Sequence, residues 1–215
     1  MTMSFPMFEA NETDMSGTRI YGAVIGIVTN SKDPEGLGRV KLKYPWLSDQ
    51  NESNWARVAT PMAGNQRGFF FIPEVDDEVL VVFEQGDMNF PYVIGALWNG
   101  KDKPPVKNDD GKNNVRLIKS RSGHCIRLTD EDGKEKIEIE DKSGKNKIVV
   151  DTASKTISII TDKDLKLTAD NGEIILSANT IVLDAKSSLE VKSAGSAKLE
   201  AKATLDVKGQ LVNIN

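Results

Sequence analysis

The chain has 215 residues, of which 39% are hydrophobic and 6% aromatic, and its 28 basic and 32 acidic side chains give a net charge of -4. This near balance of charge argues against nucleic acid as a partner, because binding to phosphates requires an excess of Lys and Arg. The lone cysteine, Cys125, excludes an internal disulfide, and no apolar run approaches the roughly 18 residues that span a bilayer.

The first 18 residues are predicted to form an N-terminal arm. They include Glu9, Glu12 and Asp14 but no basic residue, and they lack the apolar core of a signal peptide. We therefore expect the chain to be synthesised in the cytoplasm and to leave it only through a dedicated machine.

Five short strands are predicted between residues 19 and 100, with clusters of turn-forming residues between them. They span residues 19–28, 38–44, 55–59, 78–83 and 91–98. Five strands in so short a stretch, with no amphipathic helix, favour an OB-fold barrel. Residues 1–105 carry 9 basic and 14 acidic side chains, a net charge of -5, which disfavours the single-stranded nucleic acids that some OB-folds bind.

A linker and neck are predicted over residues 101–136. His124 and Cys125 form the chain's only notable pair of a base and a nucleophile. Adjacent residues of a strand point to opposite faces of the sheet, so these two side chains could not share a catalytic hydrogen bond. We interpret them as ordinary neck residues and predict that the protein is not an enzyme.

Two acidic stretches are predicted to be turns. Residues 130–133 read Asp-Glu-Asp-Gly, but Lys134 and Glu135 follow where a calcium loop needs an oxygen ligand and a glycine. A tight turn between two strands explains the Asp-Gly pair without a metal. Asp76 and Asp77 are interpreted as turn residues before a strand. We therefore predict no catalytic, cofactor-binding or metal-binding residue, and no cofactor.

The C-terminal part of the chain differs in kind from the rest. All thirteen aromatic residues, all six methionines and all eight prolines lie before residue 106, and residues 106–215 have a net charge of +1. Aliphatic and polar residues alternate there, which predicts strands. The strands begin near residues 137, 148, 157, 165, 174, 181, 189, 197, 205 and 213, so the spacing approaches eight residues. We define residues 137–215 as the predicted needle.

The predicted needle has too few apolar residues per repeat to form a core by itself. Each repeat offers one or two aliphatic side chains, and unpaired strand edges associate with other chains. A core of Ile, Leu, Val and Ala suits a slender prism with one wall from each of three chains, so we predict an intertwined triple-stranded β-helix in a homotrimer. At about 4.8 Å per repeat, ten repeats would give a rod of about 50 Å. The alternative is a single-chain parallel β-helix.

Motifs of the predicted barrel resemble a known family. They are GRVKLKYPW at 38–46, WARVA at 55–59, GFFFIPEVDDEVLV at 68–81, FEQGD at 83–87 and FPYVIG at 90–95. These motifs are similar to the barrel of the central spike of contractile injection machines, the family of phage baseplate assembly protein V and the valine-glycine-repeat spike of type VI secretion. The resemblance implies a trimer of barrels on a β-helical needle, seated on a hub at the end of the tail tube.

The sequence departs from larger members of that family in three ways. Only 20 residues precede Tyr21, so we expect the hub to be a separate protein. The polar connection over residues 99–114 has no room for the cell-wall hydrolase that some phage spikes insert. His124 is the only histidine, so the His-x-His motif of an iron-binding apex is absent.

The resulting prediction is a non-enzymatic baseplate spike that punctures a target cell envelope, assembled into a virion or a phage-tail-like particle. The repeat continues to Asn215 without a cap, so we expect a separate cone-shaped tip protein of the proline-alanine-alanine-arginine type at that end. The alternatives are a receptor-binding or surface fibre, which would need a recognition domain, and a repeat-fold acyltransferase, which would need His124 as its catalytic base.

Overall fold

The computed structural model describes residues 19–47 and 52–214. Apart from one 3-10 turn at Glu84–Gly86, all of its regular elements are strands: β1 Val24–Asn30, β2 Lys41–Lys43, β3 Arg57–Val58, β4 Ala63–Gly64, β5 Arg67–Gly68, β6 Glu78–Phe83, β7 Pro91–Ala96, β8 Val115–Lys119, β9 Cys125–Thr129, β10 Lys136–Glu140, β11 Lys147–Asp151 and β12 Thr156–Ile160. The chain divides into two compact units, one ending at Ile160 and the other beginning at Thr161.

The first five predicted strands form one closed sheet. Its order is β2-β1-β6-β7-β3, in which only the β3–β7 pair is parallel. A bridge between Val40 and Ala56 joins the two outer strands and closes the barrel. The prediction of a five-stranded barrel is thus confirmed, although the strands are shorter than expected.

The barrel core follows from alternation along the strands. In β6, every second residue points inward, so Val79, Val81 and Phe83 are buried while their neighbours are half-buried. Each fully buried aliphatic side chain stabilises the fold by roughly 1.5–3 kcal/mol. The whole core consists of Val28, Val40, Leu42, Tyr44, Ala56, Val79, Val81, Phe83 and Val93.

A second sheet, which we call the meander, follows the linker. Its five strands have the order β12-β11-β10-β9-β8, and every neighbouring pair is antiparallel. The ion pair between Arg121 and Glu74, at 2.9 Å, links the β8–β9 turn to the barrel. The tight turn predicted at residues 130–133 joins β9 to β10, with Gly133 at a positive φ of 75°.

The first part of the predicted needle differs from the expected repeat layers. Strands do begin next to Ile137, Ile148 and Ile157, as predicted, but they are β10, β11 and β12 of the meander and pair within one chain. The reason lies in the connections, because Gly144 and Lys155 adopt positive φ angles of 73° and 57° and let the chain reverse direction.

The second unit, residues 161–214, has no strand pairing within the chain. Within the segment 163–214 the main chain forms no ladder of hydrogen bonds, only an isolated turn at residues 170–171, and every residue of this unit after Thr161 is exposed. The main chain bends at residues 162–163, 170–172, 179, 186–187, 194–195, 202–203 and 210–211. Successive bends thus begin 8, 9, 7, 8, 8 and 8 residues apart, so the eight-residue repeat of the sequence is also a repeat of backbone direction.

Candidate interaction surfaces

His124 and Cys125, the base and the nucleophile considered in the sequence analysis, both lie where they support the meander sheet. Cys125 is buried in β9, whereas His124 is exposed just before that strand. The Nδ1 atom of His124 accepts a hydrogen bond from the main-chain N–H of Lys142 at 3.3 Å, which ties the β8–β9 turn to the β10–β11 turn. These contacts give His124 a role in holding two turns together.

The acidic stretches also lie in turns. The carboxylate of Asp77 accepts a hydrogen bond from the main-chain N–H of Glu74 at 2.7 Å, and Asp76 has a positive φ of 76°. In the β9–β10 turn, the N–H of Lys134 donates to the carbonyl of Glu131 at 2.8 Å. Within residues 19–47 and 52–214, no group of three or more His, Cys, Asp or Glu side chains could hold a metal ion.

Part of the barrel surface is covered by cations stacked on aromatic rings. Arg39 and Lys41 lie over the ring of Trp55, at 5.9 and 5.7 Å from its centroid. Their charges are compensated by carboxylates, since Arg39 pairs with Asp33 and Lys41 pairs with Glu52 at 3.0 Å. This surface therefore lacks the uncompensated positive charge that a polyanion-binding groove requires.

A similar stack lies on the neighbouring strands β3 and β7. The guanidinium of Arg57 lies 5.6 Å from the ring centroid of Tyr92. The hydroxyl of Tyr92 donates a hydrogen bond to the carboxylate of Glu84, and this bond raises the pKa of Tyr92. The short strand β3 is thereby tied to the segment that follows β6.

An apolar groove of about 570 Å³ opens at the end of the barrel where β1 and β3 finish. The loop at Gly36–Gly38 forms one side, and the hairpin β4–β5 with the segment that follows it forms the other. Phe69 and Phe71 stack at 6.4 Å between ring centroids, and Phe70 is 82% exposed. The alternation of the sequence did not predict this groove. The three consecutive phenylalanines were nevertheless a visible signal, because an alternating strand could bury only every second one.

One face of the meander is an uncovered aliphatic surface. A row of five isoleucines crosses all five strands, each directly opposite the next: Ile118, Ile126, Ile139, Ile148 and Ile159. A second row two residues away on each strand contains Leu128, Ile137, Val150 and Ile157. All five isoleucines of the first row are at least 43% exposed. We call this surface the isoleucine face.

The opposite face of the meander is more polar than the isoleucine face and partly buried. Glu138 lies in the central strand β10 and is 9% exposed. Its carboxylate pairs with Arg127 and Lys136, each at 3.5 Å. A buried carboxylate is stabilised when it has such partners. The two faces therefore differ in polarity, because this face combines charged residues with Leu117, Cys125 and Val149, whereas the isoleucine face is almost entirely aliphatic.

The second unit carries an aliphatic stripe. Large aliphatic residues recur in pairs two residues apart within the straight segments between bends, and each of them is at least 46% exposed. The pairs are Leu165 and Leu167, Ile174 and Leu176, Ile181 and Leu183, Leu189 and Val191, Leu205 and Val207, and Val212 and Ile214. Residues two apart lie on the same side of an extended chain, so the pairs define one face.

The barrel sequence matches a described protein family. The family is the type VI secretion system/phage-baseplate injector OB domain, and the match covers residues 24–98. These are the residues that form β1 to β7, so the match coincides with the closed barrel.

Three relatives are similar in sequence to this chain. The actin cross-linking toxin VgrG1 of Vibrio cholerae is 34% identical over 46% of this chain and 10% of its own length. The type VI secretion system spike protein VgrG3 of Vibrio cholerae is 30% identical over 55% of this chain and 13% of its own length. The spike protein VgrG5 of Pseudomonas aeruginosa is 32% identical over 55% of this chain and 17% of its own length. The chain thus matches less than a fifth of each of these relatives.

Proposed function

We propose that this chain, whose barrel belongs to the baseplate and spike family, is a non-enzymatic subunit of a homotrimeric spike. In this proposal the barrel seats on a hub, and the second unit forms an intertwined needle that punctures a target envelope. The observation that best supports this proposal is the aliphatic stripe of residues 161–214, which is exposed along its whole described length.

An isolated chain has no force that would hold this unit extended. Ordering the backbone costs about 1–2 kcal/mol per residue, and within one chain the segment 163–214 has no buried residue and no pair of hydrogen-bonded strands. Extended strands with free edges pair with other strands. The regular conformation of this unit is therefore best explained by partners that supply the missing bonds.

The single-chain β-helix is the less suitable alternative. Its successive coils would be joined by main-chain hydrogen bonds within one chain, whereas no such bond joins successive straight segments of residues 163–214. With three chains, each straight segment is one wall, and the aliphatic pairs of three walls enclose a narrow core. Leu, Ile and Val are large enough to fill such a core, in keeping with the absence of aromatic residues after Trp98.

The isoleucine face supports the same arrangement. Contiguous apolar patches of this kind mark interaction surfaces. Three copies of the meander, placed around one axis with their isoleucine faces inward, would cover these surfaces. The polar face, with Glu138 and its two cations, would then point outward.

The mechanical role follows from this geometry. Each eight-residue repeat would advance the needle by about one strand spacing, roughly 4.8 Å. Interchain hydrogen bonds along its length would make the rod stiff enough to transmit an axial force. The hub on the barrel side and a cone-shaped tip protein at the needle's far end are the partners that this role requires, and the assembled machine would carry the spike to its target.

In the part of the chain that the structure describes, no helix is long and apolar enough to cross a membrane.

The test is the mass of the purified protein in solution. Multi-angle light scattering is expected to give about 71 kDa, three times the chain mass of 23.6 kDa. Electron microscopy of the same sample should show a thin rod with a wider end. A monomer of 23.6 kDa at micromolar concentration would refute the proposal. The matched control is a chain in which both the needle's aliphatic pairs and the five isoleucines of the isoleucine face are replaced by serine, which should be monomeric.

A further inference from the structure

The aliphatic stripe does not by itself specify how three chains align. The pair Ile174 and Leu176 is followed by the nearly identical pair Ile181 and Leu183, and Leu189 with Val191 is repeated as Leu205 with Val207. A chain displaced by one repeat along its neighbours would place aliphatic residues against aliphatic residues again. Such a slip would lose little apolar burial, because register is weakly specified where a pattern repeats.

The meander, unlike the aliphatic stripe, is paired within one chain and has a fixed register. Its five-residue ladders join strands of the same chain, so the central strands β9, β10 and β11 have both edges paired without a partner. Its connections are short, and contacts between neighbouring hairpins form rapidly. A single chain can therefore build this sheet before it meets another copy.

The isoleucine face gives the folded meander one way of meeting its copies. The two aliphatic rows lie on a sheet whose strands have a single register, and each row ends at the edge strands of that sheet. The repeats of the aliphatic stripe have no such boundary. On β8, the second row ends at Arg116, opposite Leu128, so the face is also bounded by charge. A displaced copy would expose isoleucine at one end and place aliphatic residues against this arginine, which costs free energy.

We propose that the meander is the register-setting nucleus of the trimer. Three meanders associate through their isoleucine faces and align their chains. Because β12 ends at Ile160 and the second unit begins at Thr161, the three needle segments then start level with one another. This inference rests on the proposed homotrimer and assigns one of its surfaces a distinct role, namely to prevent slipped needles.

Cysteine crosslinking of the full chain tests the alignment. In a Cys125→Ser background, Val191→Cys should form disulfides between copies of itself most efficiently when the chains are level, because a slip of one repeat adds roughly 4.8 Å of axial separation and a disulfide tolerates Cα atoms no more than about 7 Å apart. The protein is unfolded, refolded and oxidised. The double substitution Ile139→Asn with Ile148→Asn in the isoleucine face should slow refolding and reduce the crosslinked fraction severalfold among particles of trimer mass. The control Ile175→Asn, on the outer side of the needle between two inward residues, should leave that fraction unchanged.

A second measurement needs no substitution in the meander. Pulse-labelling hydrogen exchange during refolding should show protection of amides in β9 to β11 before protection of amides in residues 163–214. Simultaneous or reversed protection would overturn the proposal, as would an isoleucine-face variant that refolds at the parent rate with full crosslinking. A parent protein that is monomeric would instead refute the homotrimer itself, so the two failures are distinguishable.

Discussion

Arg39 and Asp33 form a bidentate ion pair that closes the loop between β1 and β2. The guanidinium donates from Nε to Oδ2 at 2.9 Å and from Nη2 to Oδ1 at 2.8 Å. The same carboxylate accepts main-chain N–H groups of Glu35, Leu37 and Arg39, and its side chain is only 3% exposed. One carboxylate thus organises the loop that forms one side of the apolar groove.

This pair predicts a loss of stability in acid. The hydrogen bonds from Arg39 hold the pKa of Asp33 well below its usual range. Its contribution is complete above about pH 4, the pKa of an aspartate in an unfolded chain, and is lost as the pH falls toward the lower folded pKa. Asp33→Asn should lower the thermal midpoint of the barrel at neutral pH and flatten its decline between about pH 4 and pH 2.

The matched control for this prediction is Glu35→Gln. Glu35 pairs with the same guanidinium at 3.0 Å, but its side chain is 65% exposed, so this pair contributes little. Differential scanning calorimetry across the pH range compares the three proteins. Equal acid sensitivity in the parent and in Asp33→Asn would contradict the prediction.

Tyr44→Phe is predicted to leave the barrel intact and to increase its stability in alkali. The ring of Tyr44 packs edge-on against Phe83 at 5.6 Å, and its buried hydroxyl has no hydrogen-bond partner of normal geometry among the described residues. Removing an unsatisfied buried hydroxyl should raise the free energy of unfolding at neutral pH by up to about 1 kcal/mol.

The alkaline effect has a separate cause. Burial raises the pKa of Tyr44 to about 12, although nearby Ser53 opposes part of this increase. Above about pH 10 the unfolded chain ionises this group while the folded barrel keeps it protonated, so stability falls as the pH rises toward the folded pKa. Urea titrations at pH 8 and pH 11 should show a larger gain from Tyr44→Phe at the higher pH. An equal gain at both would exclude this group as the cause.

Gly68→Ala is predicted to destabilise the hairpin beside the apolar groove. Gly68 has a positive φ of 149°, and an added Cβ would lie 2.5 Å from the carbonyl oxygen of Met62. The expected cost is about 1–3 kcal/mol in the free energy of unfolding. Gly95→Ala is the control, because a Cβ there meets no atom within 4 Å. Chemical denaturation monitored by tryptophan fluorescence measures both, and similar midpoints would show that the hairpin adapts.

Leu183→Ala and Val182→Ala are predicted to differ although the residues are adjacent. In the proposed trimer Leu183 belongs to the inward aliphatic pairs, whereas Val182 points to the opposite side. Leu183→Ala should cost about 2–5 kcal/mol per chain, as for a buried leucine, and Val182→Ala less than about 0.5 kcal/mol. Thermal dissociation of the trimer, followed by light scattering, distinguishes them. Equal effects would mean that the needle has no distinct inner face.

The barrel was predictable from the sequence because its signals are local. Alternation in Glu78–Phe83 placed Val79, Val81 and Phe83 inside, and the turn residues between strands marked where each one ends. The groove at Phe69–Phe71 was not predictable in the same way, because its walls come from two loops that only the closed barrel brings together.

The alternation after residue 136 and its spacing of eight residues can be read from the sequence alone, and the bends of residues 161–214 repeat that spacing. Which strands are neighbours depends on the three-dimensional fold. Ile139 and Ile174 stand in similar alternating runs, yet Ile139 lies in a sheet of its own chain and Ile174 has no partner strand there. The physical reason is that alternation records which side a residue faces, whereas pairing depends on whether the connection can reverse the chain. The positive φ angles of Gly144 and Lys155 allow that reversal, and after Lys155 no described residue has one.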